Sequence, residues 1–193
     1  MEFKFDSVLE GKFITLKKVV VADAHDIYKW RTSKSGQFLK HPDNYDLNSQ
    51  IEWIKNRKDS EANYIIYQKD SNIKVGMIGI YDVNINDKVT DVGRLLLAEE
   101  YLTKSNPYGL EALLLTYNYV FEQMGFKKIT GVILGLNLDM FKMQKFLGMQ
   151  QEGFLKQHVV IHNNREDLFI MSLFAEDFSG YKNKINLLLR SFK

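Results

Sequence analysis

Apolar residues recur along this chain in two rhythms, and the switches between them outline its elements. The segment 11–20 is rich in β-branched residues and opens on glycine, which predicts a first strand. Val21, Ala24, Ile27, Tyr28 and Arg31 then follow a helical period, so a helix is expected over 23–33. Residues 34–47 hold glycine, proline, asparagine and aspartate and read as a loop, after which Ile51, Trp53 and Ile54 mark a second helix at 48–57. Apolar runs at 63–68 and 74–83 are joined by Asp70, Ser71 and Asn72, a hairpin signal. A polar turn at 84–87 leads to another strand at 88–97.

The strongest helix follows. Leu110, Leu113, Leu114, Tyr117, Phe121 and Met124 form one apolar stripe, with Asn106 suited to the N-cap, Pro107 to the first helical position and Gly125 to the stop. The run 129–136 is apolar on both faces, the mark of a central strand. A helix over 138–146 ends at Gly148, and two strands at 152–161 and 166–174 flank a turn at 162–165. The tail 175–193 is amphipathic around Ile185, Leu188 and Leu189. The order β-α-α-β-β-β-α-β-α-β-β predicts an α/β chain of the α+β kind. It should form one domain over 1–193, with 175–193 as a tail helix. Its central sheet is expected to be mixed, mostly antiparallel, of about seven strands, with helices on both faces. The helical crossover between 88–97 and 129–136 requires those two strands to run parallel.

Composition narrows the chemistry. The 193 residues carry 26 Lys and Arg against 24 Asp and Glu, a formal charge of +2, so nothing calls for nucleic acid or an anionic membrane. There is no cysteine, which removes disulfides, thiolate metal sites and cysteine nucleophiles. Of the four histidines, His25, His41, His158 and His162, only the last two are four apart, and they lie in a stretch that reads as strand and outside any H-E-x-x-H pattern, so no metal is expected. The N-terminus has no apolar signal core and no run is long enough to span a bilayer, which suits a cytoplasmic protein.

The segment 95–112 is the most informative. A strand feeds a polar loop that opens the long helix, and unpaired N–H groups at a helix start favour a phosphate. Lys104 adds positive charge; the alternative is a plain strand–loop–helix connection. Neither G-x-x-x-x-G-K-[ST] nor G-x-G-x-x-G occurs, which disfavours ATP and NAD.

Three segments resemble the GNAT superfamily of N-acetyltransferases. Lys104 to Ala112, with Pro107, Gly109 and Glu111, is similar to the family's Q/R-x-x-G-x-G/A signature and the start of its helix. Asn137 to Met149 is similar to N-x-x-A-x-x-x-Y-x-K-x-G-F, with Asn137 and Gly148 eleven apart. Glu152 to His158 together with Asp167 to Met171 looks like the closing hairpin of the bacterial branch. That branch holds ribosomal-protein alanine acetyltransferases and acetyltransferases of amino sugars on sugar nucleotides. The likeness runs over 11–174. Lys104 replaces Gln or Arg, Pro107 replaces glycine, and the loop 98–106 is about two residues longer than usual.

The resemblance implies a GNAT-like fold whose fourth and fifth strands, 88–97 and 129–136, splay apart, and acetyl coenzyme A as cosubstrate. The pantetheine arm would lie along the backbone of Leu95, Leu96 and Leu97 and the side chain of Asn137. The amides of Ser105, Asn106, Tyr108, Gly109 and Leu110 would share the pyrophosphate, with Phe141 and Lys145 flanking the arm. Asn137 as a helix cap and Phe141 as core are the alternatives. An attacking amine must lose a proton, and Asp91 stands where many relatives carry glutamate. Alternation places it with Gly93 and Leu95, opposite Arg94, unless a bulge changes the phase. Asp82 and His158 are other candidate bases, and a salt-bridged Asp91 is the bland alternative. Gln144 stands where relatives often supply a tyrosine acid; its amide is able to hydrogen-bond the sulfur but not to protonate it. Trp30 and Arg31 resemble the W-R pair of amino-sugar members and, with His41, Trp53, Asp82, Arg94 and His158, are expected around the acceptor. Core packing for the tryptophans and a surface ion pair for Arg31 remain open. The implied activity is acetyl transfer by direct attack to a primary amine of an amino sugar, a sugar nucleotide or a protein N-terminus, by a monomer or homodimer. The alternative is a coenzyme-A-binding module with weak or no catalysis.

Overall fold

The computed structural model describes residues 4–40, 42, 44–102 and 105–192. Eight strands form one sheet in the order β1-β2-β3-β4-β5-β6-β8-β7, with β1 at Val8–Glu10, β2 at Ile14–Lys18, β3 at Ala62–Gln68, β4 at Lys74–Asn84, β5 at Val89–Leu97, β6 at Lys128–Leu134, β7 at Gln150–Ile161 and β8 at Asn164–Phe174. Every neighbouring pair is antiparallel except β5 with β6. The expected count of seven strands is therefore corrected to eight. The run read as one strand at 11–20 holds only β2; the additional strand, β1, precedes it, and a turn in which Gly11 N–H donates to Ile14 O at 2.9 Å joins the two as a hairpin. The turn is pinned by Glu111, whose buried carboxylate accepts from the amides of Lys12 (2.6 Å), Phe13 (2.8 Å) and Ile14 (3.0 Å). Three amide donors compensate a charge that would otherwise be costly to bury.

Among the described residues five α-helices cover the sheet: α1 at Ala24–Thr32, α2 at Leu47–Lys55, α3 at Tyr108–Asn118, α4 at Leu138–Phe146 and α5 at Ala175–Ser191. The α3 stripe continues through a π-helical turn at Tyr119–Gln123 and stops at Gly125, whose φ of +70° is a conformation only glycine takes freely. The closing hairpin turns through His162 and Asn163, both at positive φ, which suits a two-residue turn. None of the described helices is long and apolar enough to cross a membrane.

Two cores separate across the sheet. The larger joins α3, α4 and α5 to one face through Leu113, Tyr117, Leu147, Phe178 and Ile185. The smaller joins α1 and α2 to the other face through Ile27, Trp30, Ile54, Ile65, Met77 and Leu96. Trp30 thus lies in a core, 5% exposed, rather than at a mouth.

Candidate active site

The parallel seam is short. β5 and β6 pair only from Val89 with Lys128 to Asp91 with Thr130. Beyond that point β5 stays paired with β4 to Leu97 and β6 with β8 to Leu134, so the two strands part and a gap opens in the sheet. The gap encloses a cavity of about 110 Å³, lined among others by Val92, Leu95, Gly131, Ile133, Asn137 and Gln144. At its apex Thr130 Oγ1 donates to Asp91 Oδ1. A Cβ on Gly131 would come within 3.3 Å of the Val92 carbonyl, so glycine suits the point where the strands separate.

A bulge sets which side chains look across the gap. Arg94 has φ +55°, and Arg94 and Leu95 together oppose the one residue between Met77 and Gly79 on β4. The alternation expected from sequence is therefore corrected: Arg94 shares a face with Asp91 and Gly93, while Leu95 and Leu97 turn to the larger core and Leu96 to the smaller. Arg94 donates to Glu61 Oε2 (2.8 Å) and Asn63 Oδ1 (3.0 Å) and lies over the rings of Tyr81 (4.2 Å) and Trp53 (5.5 Å). Gly93 leaves room for the Tyr81 hydroxyl, which would sit 2.6 Å from a Cβ there. Burial, reinforced by Asp91, pushes Tyr81 up to about 12, so it is a neutral donor. Burial also raises Asp91, with Asp82 adding to the shift and the Thr130 hydrogen bond opposing it. A half-buried carboxylate held above its usual range accepts a proton more readily than an exposed one.

The open end of the gap faces the starts of α3 and α4. Asn106 Oδ1 accepts from the Tyr108 amide (3.3 Å), and Glu111 N–H closes the first helical turn onto Pro107 O (2.8 Å). The helix thus begins one residue later than expected, with Pro107 at the cap, and Tyr108 is already engaged. The amides of Gly109 and Leu110 point from the first turn with no acceptor among the described residues. These donors, with the unladdered edge of β5, fit an anionic, extended ligand such as a coenzyme with a pyrophosphate and a pantetheine arm. Ser105 is exposed beside them.

Other expected residues are distributed unevenly. Asn137 caps α4, its Oδ1 accepting from Met140 N (3.2 Å), and also lines the gap. Gln144 lines it too, although buried. Phe141 stacks on Phe169 (4.6 Å), and Lys145 is exposed. Trp53 stands between Arg94 and Arg57 (5.8 Å) on the Arg94 face. Arg31 lies over Tyr45 (5.3 Å) and donates to Lys40 O (3.0 Å); burial lowers its affinity for a proton. Asp82 is exposed at φ +49° on a second bulge, and His158 is exposed on β7, two strands away from β6. His41 and Lys104 lie outside the described residues. Sequence reasoning missed Tyr45, Glu61, Asn63, Tyr81 and Thr130. Only Tyr81 carried a signal, being two residues after Gly79 on a strand already paired with the Asp91 strand.

The family description of an acetyltransferase (GNAT) domain matches residues 14–150. No curated protein matches the chain in sequence. Solved structures share its fold. A GCN5-related N-acetyltransferase from Brucella melitensis superposes with TM-score 0.80 at 16% identity, covering 95% of this chain and 86% of that one. A GNAT-family acetyltransferase from Bacillus anthracis gives TM-score 0.74 at 19% identity over 88% and 99% of the two chains. A variant of a spermidine N-acetyltransferase from Vibrio cholerae gives 0.75 at 16% over 90% and 99%.

Proposed function

The chain belongs to the GNAT acetyltransferase family, and from that premise we propose that it moves acetyl from acetyl coenzyme A to the primary amine of an acceptor bound on the α1–α2 face. The observation that carries the reading is the gap between β5 and β6, with the free amides of Gly109 and Leu110 at its open end and Asp91 at its apex.

The bound coenzyme supplies an activated acetyl thioester. Gly109 and Leu110 donate to its pyrophosphate, and the edge of β5 from Leu95 to Leu97 aligns its arm. Asp91 takes the proton that the amine must lose, directly or through one water, while Thr130 and Tyr81 fix the carboxylate surroundings. The amine attacks the thioester directly in a ternary complex, and a cysteine-borne acetyl intermediate is excluded because the chain has no cysteine. The whole chain acts as one acetyltransferase unit.

The acceptor carries an anionic group. No carboxylate among the described residues lies in ion-pair range of Arg31, and its Nε is buried without a partner. Arg94 and Arg57 stand nearby, so a polyamine, the acceptor named for the Vibrio cholerae enzyme, meets repulsion here. A sugar nucleotide bearing an amino sugar, or an acidic protein N-terminus, supplies both the amine and the anion. The test is an acceptor screen with acetyl coenzyme A, read by thiol release and product mass. Acetylated amino-sugar nucleotide or acidic peptide is expected. In Asp91→Asn turnover should fall about a hundredfold with coenzyme affinity unchanged. Turnover at the parent rate removes Asp91 as the base, and no acetylation of any amine overturns the reading.

A further inference from the structure

Tyr117 lies in the larger core on α3, fully buried, with its ring edge-on to Phe121 (6.5 Å) and Phe178 (6.0 Å). Phenylalanine would satisfy that packing, so the hydroxyl needs a separate explanation. Its strong partner is Gln144 Oε1 at 2.5 Å, and Met149 Sδ lies at 3.6 Å. Gln144 in turn lines the gap with Met140, Met149 and Met171. Its carbonyl is engaged by Tyr117, and its Nε2 meets only the Met140 thioether at 3.8 Å, a weak acceptor. A buried amide donor with no good acceptor, facing a gap walled by thioethers, is costly unless a ligand accepts from it.

We propose that Tyr117 is a positioning residue: its hydroxyl, donating to Gln144 Oε1, fixes the amide so that Nε2 faces the gap and donates to the sulfur that leaves the acetyl thioester. This rests on the acetyltransferase reading above. In the reaction the amine nitrogen bonds to the acetyl carbon and the C–S bond breaks. The sulfur keeps the electron pair as thiolate, and the amine proton goes to Asp91. Gln144 has no proton to give up at ordinary pH, so the thiolate is stabilised by a hydrogen bond in a low-dielectric wall and not by protonation. Tyr117 is suited to the role because burial keeps it protonated and therefore always a donor toward Oε1. The amide then has one orientation rather than two.

The experiment compares the parent chain with Tyr117→Phe, Gln144→Met and the double variant. Calorimetry reads coenzyme A affinity, and the ultraviolet absorbance of the thiolate reads the ionisation of bound coenzyme A. The thiol should ionise about tenfold more readily on the parent than on either variant. With acetyl coenzyme A and an accepted amine, kcat should fall about tenfold in each single variant with KM for the coenzyme unchanged. The double variant should be no worse than Gln144→Met alone. Equal thiol ionisation on parent and variants, parent turnover in Tyr117→Phe, or additive losses in the double variant overturns the proposal. If Tyr117→Phe fails to fold, the thiol titration of Gln144→Met decides. A parent chain that takes up no coenzyme A, or takes it up and acetylates nothing, sinks the acetyltransferase reading instead. A parent that acetylates as fast as its variants sinks only this one.

Discussion

On one face of the sheet, α3, α4 and α5 close a large apolar core; on the other, α1 and α2 cover a smaller one whose margin is polar. The two faces differ most in how their buried polar atoms are satisfied. The larger core holds Glu111, a buried carboxylate with three amide donors. On the α1–α2 side, Arg31 Nε, Ser35 Oγ, Gln50 Nε2 and Asn63 Nδ2 are buried with no partner; elsewhere among the described residues Asn118 Oδ1 is so, and Gln144 Nε2 at the seam meets just the Met140 thioether. Unmet donors cost free energy in the folded chain and are retained where something else meets them. The first face is built to hold the fold, and the second to receive a ligand. The seam where β5 and β6 part joins the two.

The sharpest way to break this comparison is at Glu111. Glu111→Ala leaves three amides of the β1–β2 turn without an acceptor and should cost roughly 3 kcal/mol. In a chain of this length that lowers the melting temperature on the order of 10 °C, with acceptor KM unchanged in the cold. A smaller loss read by calorimetry would mean the turn finds water instead. At Arg31 the expectation reverses. Arg31→Gln removes a desolvated cation that has no counter-charge, so melting temperature should hold or rise. Acceptor KM should increase about tenfold, the worth of a charge-assisted hydrogen bond, and KM for acetyl coenzyme A should not move. A destabilised Arg31→Gln with parent kinetics would show that this face too serves only the fold.

Much of the fold was legible because it depends on patterns that residue types encode. The stripe from Leu110 to Met124 fixes the buried face of α3, and the apolar runs at 63–68 and 74–83 fix two strands. The β1–β2 hairpin was hidden because its turn is held by a carboxylate about a hundred residues later in the chain. The place of the bulge at Arg94 was not legible, because a positive φ at arginine has no local signal, and it puts Arg94 in place of Leu95 beside Asp91 and Gly93. Trp30 read equally as core or mouth, since an aromatic on a helix face does not say what lies above it. Tyr117 read as one member of an apolar stripe, because its hydroxyl acquires meaning only when α4 brings Gln144 beside it. The gap itself is a ladder that stops, and no residue type encodes a missing partner. Only the family likeness pointed there.

The smallest expected effect tests whether Asp91 at the seam belongs with the holding face or the receiving one. A carboxylate kept for stability has its pKa lowered by folding; Asp91 has its pKa raised, chiefly by burial. The unfolded chain then gives up this proton near pH 4 while the folded chain still holds it. Between the two values the folded state binds more protons, so stability falls as pH rises through that window and stays lower above it. Asp91→Asn carries no such penalty. Below about pH 4 both chains are neutral at this position, and the variant should melt no higher than the parent, because its amide Oδ1 accepts from Thr130 just as the neutral carboxyl does and gains nothing over it. Above the window the variant should gain relative to the parent, by on the order of 1–2 °C. Differential scanning calorimetry of both chains from pH 3 to 8 reads the crossover directly. A difference that shrinks or reverses toward neutral pH would mean that ionised Asp91 supports the fold, and the seam would then belong with Glu111 rather than with Arg31.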